Sequence, residues 1–259
     1  APEIFGECAI PVQLTYDLSV ALPIIRVVNE TGRALVFDKT FSLDVYGLES
    51  SAGMRESEEL MSSLNIRTSR LGTPDGHSDR VATYALAIGK RLDLSLPQLQ
   101  TLKLAAILHD IGKVGISRAI VEKLGTLTAR EFEIMRLHST IAVGMLENVD
   151  GLTDCIPLVK HHHERYDGKG YPDGLSGTDI PLGARIIAVA ETFDILISDV
   201  PWRRALSKRD AERELMDCSG TQFDPTVIDV FLNLLDSKQI EVPVCETEVA
   251  SSISESKIN

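Results

Sequence analysis

From residue 77 onward, apolar residues recur at three- and four-residue spacing, the period of an α-helix that buries one face. The segments VATYALAIGKRL (81–92) and QLQTLKLAAILHD (98–110) each carry that stripe, and Gly112 marks an end for the second. A third helix is announced by Thr128-Ala129-Arg130-Glu131, a capping box in which hydroxyl and carboxylate satisfy backbone donors that lack partners within the helix. It is expected to run to about Asn148, and a fourth is expected near residues 154–163. IPLGARIIAVAETFDILIS (180–198) predicts a helix entered through Pro181. Ser207-Lys208-Arg209-Asp210 starts another, with Gly220 past its end, and Asp224-Pro225 sets an N-cap before a first-turn proline, opening a last helix to about Asp236.

The pattern upstream is different. Residues 10–48 mix the β-favouring runs IPVQLTY, IIRVV and RALVF with the turn signal Asn29-Glu30-Thr31-Gly32, which predicts a small β-rich unit. A short helix follows, and the breakers Gly72, Thr73, Pro74 and Gly76 mark the domain boundary. The expected organisation is a small N-terminal region over 1–70, a helical domain over 71–238 and a mobile polar tail over 239–259. No internal repeat is present.

Composition narrows the class. The 259 residues are 44% hydrophobic and 25% charged, as in ordinary soluble globular proteins. A net charge of −12 argues against a duplex nucleic acid partner, which needs clustered Lys and Arg, although small anions remain admissible where a metal supplies local positive charge. No apolar run approaches the roughly 20 residues of a membrane span, and the N-terminus lacks a signal-peptide pattern, so a soluble, cytoplasmic protein is expected. Ala1 in place of Met points to a fragment or processed product with sequence upstream, such as a sensor. Cys8, Cys155, Cys218 and Cys245 are widely separated without a Cys-x-x-Cys pair, which favours free thiols over zinc or disulfides.

All six histidines fall between His77 and His163. The expected helices place His77 at the start of one, His109-Asp110 at the end of the next, His138 inside a third and His161, His162 and His163 at the end of a fourth. Glu191 and Asp194, at i, i+3 spacing, face one way from a later helix. Neutral imidazole is the commonest protein metal ligand, and carboxylates can bridge two ions. If both continue a helix, His109 and Asp110 point about 100 degrees apart and can reach different sides of a dinuclear centre. Singly, each has a plainer explanation: His138 as a surface or core histidine, Asp110 as a cap, Glu191 and Asp194 as a solvated face, DGKGYPDG (167–174) as a turn-rich connection. Those explanations do not account for the joint pattern.

The stretches LHDIGKVGI (108–116), RLHSTIAVGML (136–146) and HHERYDGKGYPDGLSG (162–177) resemble the signature segments of the HD-GYP family, a branch of the HD phosphohydrolases. IPLGARIIAVAETFDIL (180–196) and SGTQFDP (219–225) resemble its later segments, so the resemblance covers roughly residues 70–236. It implies a mainly α fold, an HD-type helical bundle here preceded by the small β-containing region. It also implies a centre of divalent metal ions, iron or manganese, and hydrolysis of the bacterial second messenger cyclic di-GMP to pGpG, and onward to GMP, by a metal-bridging hydroxide. By motif, His77, His109 and Asp110 are implied ligands with Asp110 bridging, and His138, His162 and His163 complete the second ion. Glu191 stands where the family has an aspartate ligand, Asp194 matches an acid tied to a third metal or the substrate, and Lys113 matches the lysine beside the water or scissile phosphate. Tyr171 and Pro172 give the loop an apolar corner that borders the ligand cleft or meets a signalling partner, and a homodimer stays open. His161 has no counterpart, which leaves it a supporting role.

Three departures bear on these expectations. Thr73 stands where three-metal members carry a glutamate, which favours two ions. Glu191 is longer than the usual aspartate. Asp199-Val200-Pro201-Trp202-Arg203 keeps Arg203 for a phosphate but loses one cation at Val200, which leaves a catalytically silent dinucleotide-binding or interaction module as the rival to the enzyme. An HD phosphohydrolase of another nucleotide is the third reading.

Overall fold

The computed structural model describes residues 71–240 apart from 148, 150, 201 and 202. Both the β-rich unit expected upstream and the tail from 241 onward lie outside the described residues. Helices α1 (His77–Arg91), α2 (Leu96–Leu108), α3 (Arg118–Val121), α4 (Ala129–Leu146), α5 (Ile156–His161), α6 (Leu182–Leu196), α7 (Lys208–Asp217) and α8 (Pro225–Asp236) follow one another. Among the described residues, β-pairing is confined to the isolated bridges Val200 with Arg203 and Ser219 with Phe223. No helix there is long and apolar enough to cross a membrane.

The centre of the bundle is α6. Ala184, Ile186, Ile187, Ala188, Val189, Ala190, Phe193 and Leu196 are all buried, so its apolar residues surround the axis rather than line one stripe, as a helix enclosed by others requires. In contrast, α1 is amphipathic: Val81, Tyr84, Ala85 and Ile88 form its buried face, packed against α2, α6 and α8. The Tyr84, Phe193 and Phe231 rings meet at centroid distances of 5.0–6.0 Å and join α1, α6 and α8.

The caps read from the sequence are formed. Glu131 N–H donates to Thr128 Oγ1, and Thr128 N–H donates to Glu131 Oε2 at 2.7 Å. Asp210 N–H donates to Ser207 Oγ and Thr226 N–H to Asp224 Oδ1. A further cap, not read from the sequence, forms at the start of α2, where the Gln98 side chain accepts from Ser95 N–H and Oγ–H. Other details differ from expectation. The third predicted helix ends at Leu146, the short α3 was not foreseen, and the fourth is a 3-10 turn (Thr153–Cys155) leading into the six-residue α5. Helix α2 stops at Leu108, and Asp110 (φ −96°, ψ 2°) opens the 3-10 turn Ile111–Gly115, so His109 and Asp110 diverge by a helix ending and not by a regular helical step. Gly112 permits this. The turn presses on α4 so closely that a Cβ at Gly112 would run into the His138 carbonyl oxygen and lie 2.8 Å from Ala142 N.

Candidate metal centre

Two groups of ligand atoms converge where α1, α2, α4, α5 and α6 meet. One comprises His77, His109, Asp110 and Glu191; the other comprises Asp110, His138, His162 and His163. Within each group the atoms lie within 4.8 Å of one another, and Asp110 belongs to both. These are all seven metal ligands expected from the sequence, drawn from a helix N-terminus, three helix ends or interiors and the central α6.

The hydrogen bonding shows what these groups lack. Three imidazoles place Nδ1 against a main-chain carbonyl: His109 on Ala106 at 2.7 Å, His138 on Met135 at 2.8 Å and His162 on Val159 at 2.6 Å. A carbonyl only accepts, so each Nδ1 carries the proton and each Nε2 presents a lone pair. His138 Nε2 and His162 Nε2 then face each other at 3.4 Å as two acceptors, an arrangement that calls for a cation between them. The Nε2 atoms of His77 and His109 and Oδ1 of Asp110 are likewise buried with no hydrogen-bond partner. Nitrogen donors with a carboxylate common to both groups suit divalent first-row ions, and the residues therefore fit such ions.

Electrostatics agree with that fit at four of the five imidazoles. Burial lowers the pKa of His77, holds His138 down at about 4, and keeps His162 and His163 well below the usual imidazole range, so all four are neutral near pH 7, the ligating form. Burial also disfavours charge on His109, but the Asp110 carboxylate outweighs it and pushes His109 up to about 9. Burial opposes charge on Asp110 too, yet Lys113 and His109 hold it well below the ordinary carboxylate range. Glu191 is pushed up to about 7 by burial.

The chain around HHHERYDGKGYPDG is tied down on several sides. Glu164 is buried, and its Oε1 accepts from Asp173 N–H at 2.7 Å and Gly174 N–H at 3.0 Å, closing the loop on its own start. At Gly170 a Cβ would collide with the backbone of Glu164 and Arg165, so glycine is required for this close approach. Tyr166 N–H and Asp167 N–H donate to the carbonyls of Gln222 and Thr221. His161 belongs to neither metal group: its Nε2 meets Asp173 Oδ2 at 3.0 Å beside Lys160 Nζ at 2.6 Å, which pins the end of α5 to the loop.

Comparison with known proteins decides the lineage. Residues 62–227 match the family described as HD domain, well over half of the chain. The chain is 38% identical over 160 residues to a protein of Thermotoga maritima named Cyclic di-GMP phosphodiesterase, covering 61% of this chain and 44% of that one. It belongs to the HD-GYP family. A second relative of this HD-GYP chain, 35% identical over 171 residues (65% of this chain, 37% of the relative), is named 3'3'-cGAMP-specific phosphodiesterase 3 of Vibrio cholerae. Among solved structures, the HDG"Y"P protein Bd1817 of Bdellovibrio bacteriovorus shares the fold, with a TM-score of 0.53 at 22% identity over 71% of this chain and 58% of that one. The HD-GYP chain thus spans less than half the length of these two curated relatives.

Four residues of the HD-GYP chain were expected at the substrate. Lys113 Nζ lies 2.6 Å from Asp110 Oδ2, at the carboxylate both groups share. Both oxygens of Asp194 are engaged in the interior, by His77 Nδ1 at 2.7 Å and by Arg80 Nε and Nη2 at 2.6 and 2.9 Å. The Arg203 guanidinium donates to the carbonyls of Ile195, Leu196 and Arg204 and so caps the end of α6. Tyr171 packs among Phe132, Arg136, His138 and His163. Sequence reasoning passed over Arg80 and Glu164; the i, i+3 spacing of Arg80 from His77 was the available signal for the first.

Proposed function

We propose that this chain is a metal-dependent phosphodiesterase that hydrolyses cyclic di-GMP to linear pGpG, with GMP as the product of a second cleavage. The observation that carries the reading is the carboxylate of Asp110, placed in both ligand groups with one oxygen left unpartnered. Two divalent ions, iron or manganese, would acidify a water and polarise a phosphoryl oxygen when bound. The protein's part follows from its own residues. Asp110 holds the two groups in register. Lys113 has three ammonium donors and spends one on Asp110, which leaves donors for a phosphate brought to the same place. Asp194 and Arg80 fix the ring of His77, and the buried neutral imidazoles stay ready to ligate.

The test is turnover by the anaerobically purified chain loaded with iron or manganese, with cyclic di-GMP and 3'3'-cGAMP compared in one assay. Linear product from cyclic di-GMP is expected. Preference for 3'3'-cGAMP would transfer the substrate to that named for the Vibrio cholerae relative. The second reading, a silent dinucleotide-binding module, is favoured by one observation: Arg203, the cation expected at the substrate phosphate, is spent on α6 carbonyls. Nucleotide binding without turnover, with both ions in place, would establish it and overturn the enzyme.

A further inference from the structure

Four of the five candidate histidine ligands are oriented through the ring nitrogen that faces away from the centre: His77 by Asp194, and His109, His138 and His162 by main-chain carbonyls. His163 makes no such side-chain hydrogen bond among the described residues. It lies past the end of α5, where helical geometry no longer supplies a carbonyl. Besides the candidate ligands His162 and His138, what lies against it is the ring of Tyr171, the one stacked on it, at a centroid distance of 4.9 Å and an interplanar angle of 28°. That ring is itself held. Arg136 Cζ sits over it at 4.8 Å, steadied by Glu133 at 2.9 Å, and Phe132 meets it edge-on at 6.3 Å.

We propose that Tyr171 is the positioning residue for His163, restraining by ring stacking the one candidate histidine ligand that has no hydrogen-bond acceptor behind it among the described residues. The inference rests on the two-ion reading above. A stack fixes the tilt of an imidazole but leaves it free to slide, so the restraint is only as firm as the anchoring of the tyrosine. Helix α4 supplies that anchoring through Phe132 and Arg136, and it also carries His138. One helix therefore sets two ligands of the same group, His138 directly and His163 through the loop, and the tyrosine of the glycine-rich segment serves the metal centre rather than a passing ligand.

Anaerobic titration of the full chain with Mn²⁺, followed by calorimetry, tests this in two backgrounds. His77→Ala leaves the group containing His163, and His138→Ala leaves the other. In the first, Tyr171→Leu is expected to weaken Mn²⁺ binding by about tenfold or more, as for other partners that orient a ligand, and Tyr171→Phe to restore it, since the ring and not the hydroxyl acts. In the second, Tyr171→Leu leaves affinity unchanged. Arg136→Gln, at a half-exposed site where folding is not at stake, weakens only the first background, by about two- to fivefold. Equal weakening in both backgrounds, or none in the first, overturns the positioning role; if the leucine variant does not fold, the same two results with Arg136→Gln overturn it. An unmutated chain that takes up no Mn²⁺ overturns the two-ion reading itself, a failure distinguishable from the others because it needs no variant.

Discussion

The two ligand groups share Asp110, but they are built differently. On the α6 side, His77 and Glu191 stand on long helices packed against each other, and the orienting contact is a hydrogen bond to a buried carboxylate, Asp194, itself clamped by Arg80. On the α4 side, His162 and His163 follow a six-residue helix and lead straight into a loop, and the last ligand is steadied by an aromatic ring. The first group draws its geometry from the scaffold, the second partly from the segment it precedes. Ligand type alone does not reveal that contrast, since both groups are mixtures of imidazole and carboxylate; it resides in what stands behind each ligand.

The strongest way to break the comparison is to remove what the groups share. Asp110→Ala is expected to abolish binding of both ions, read as metal per protein falling from two to none; full stoichiometry would refute the bridging role. Gly112→Val acts next, at the joint between the 3-10 turn Ile111–Gly115 and α4. The added side chain meets the His138 carbonyl and Ala142 N, so thermal unfolding should show a loss on the order of 3 kcal/mol or more, with both groups disturbed together. Asp194→Ala separates the sides. It strips the support from His77 and leaves Arg80 without its carboxylate, so the α6-side ion should bind about 10–100-fold more weakly while the α4-side ion is spared, in the same Mn²⁺ titration. Thr128→Ala is the smallest and serves as the control: losing the cap of α4 should cost about 1 kcal/mol in thermal stability without shifting either affinity.

Much of this was legible in the chain because it is local. The capping box at Thr128, the caps at Ser207 and Asp224 and the stripe of α1 are short-range patterns whose physics is complete within a few residues. The candidate ligand residues were singled out by motif order, and the structure brings them together. What stayed hidden is long-range or irregular. Asp194 lies 117 residues from His77, and only the packing of α1 on α6 shows that its carboxylate faces inward. Arg203 read as a free cation because nothing in the sequence shows the open carbonyls at the end of α6 that claim it. The divergence of His109 and Asp110 was expected from helical geometry, yet it arises from a helix that stops, since Gly112 lets the chain fold tightly onto α4.

The ring that Glu164 closes has a meaning for how this segment can change over time. One carboxylate oxygen counts the residues between itself and the amides of Asp173 and Gly174. An exposed letter within that span, such as Lys169, can be exchanged without opening the ring. A residue gained or lost there slides both amides off the carboxylate and moves Tyr171 away from His163. Away from Gly170 and Tyr171 the segment can therefore drift in spelling but not in length, and an insertion that a surface loop would ordinarily absorb would be felt here at the candidate metal centre.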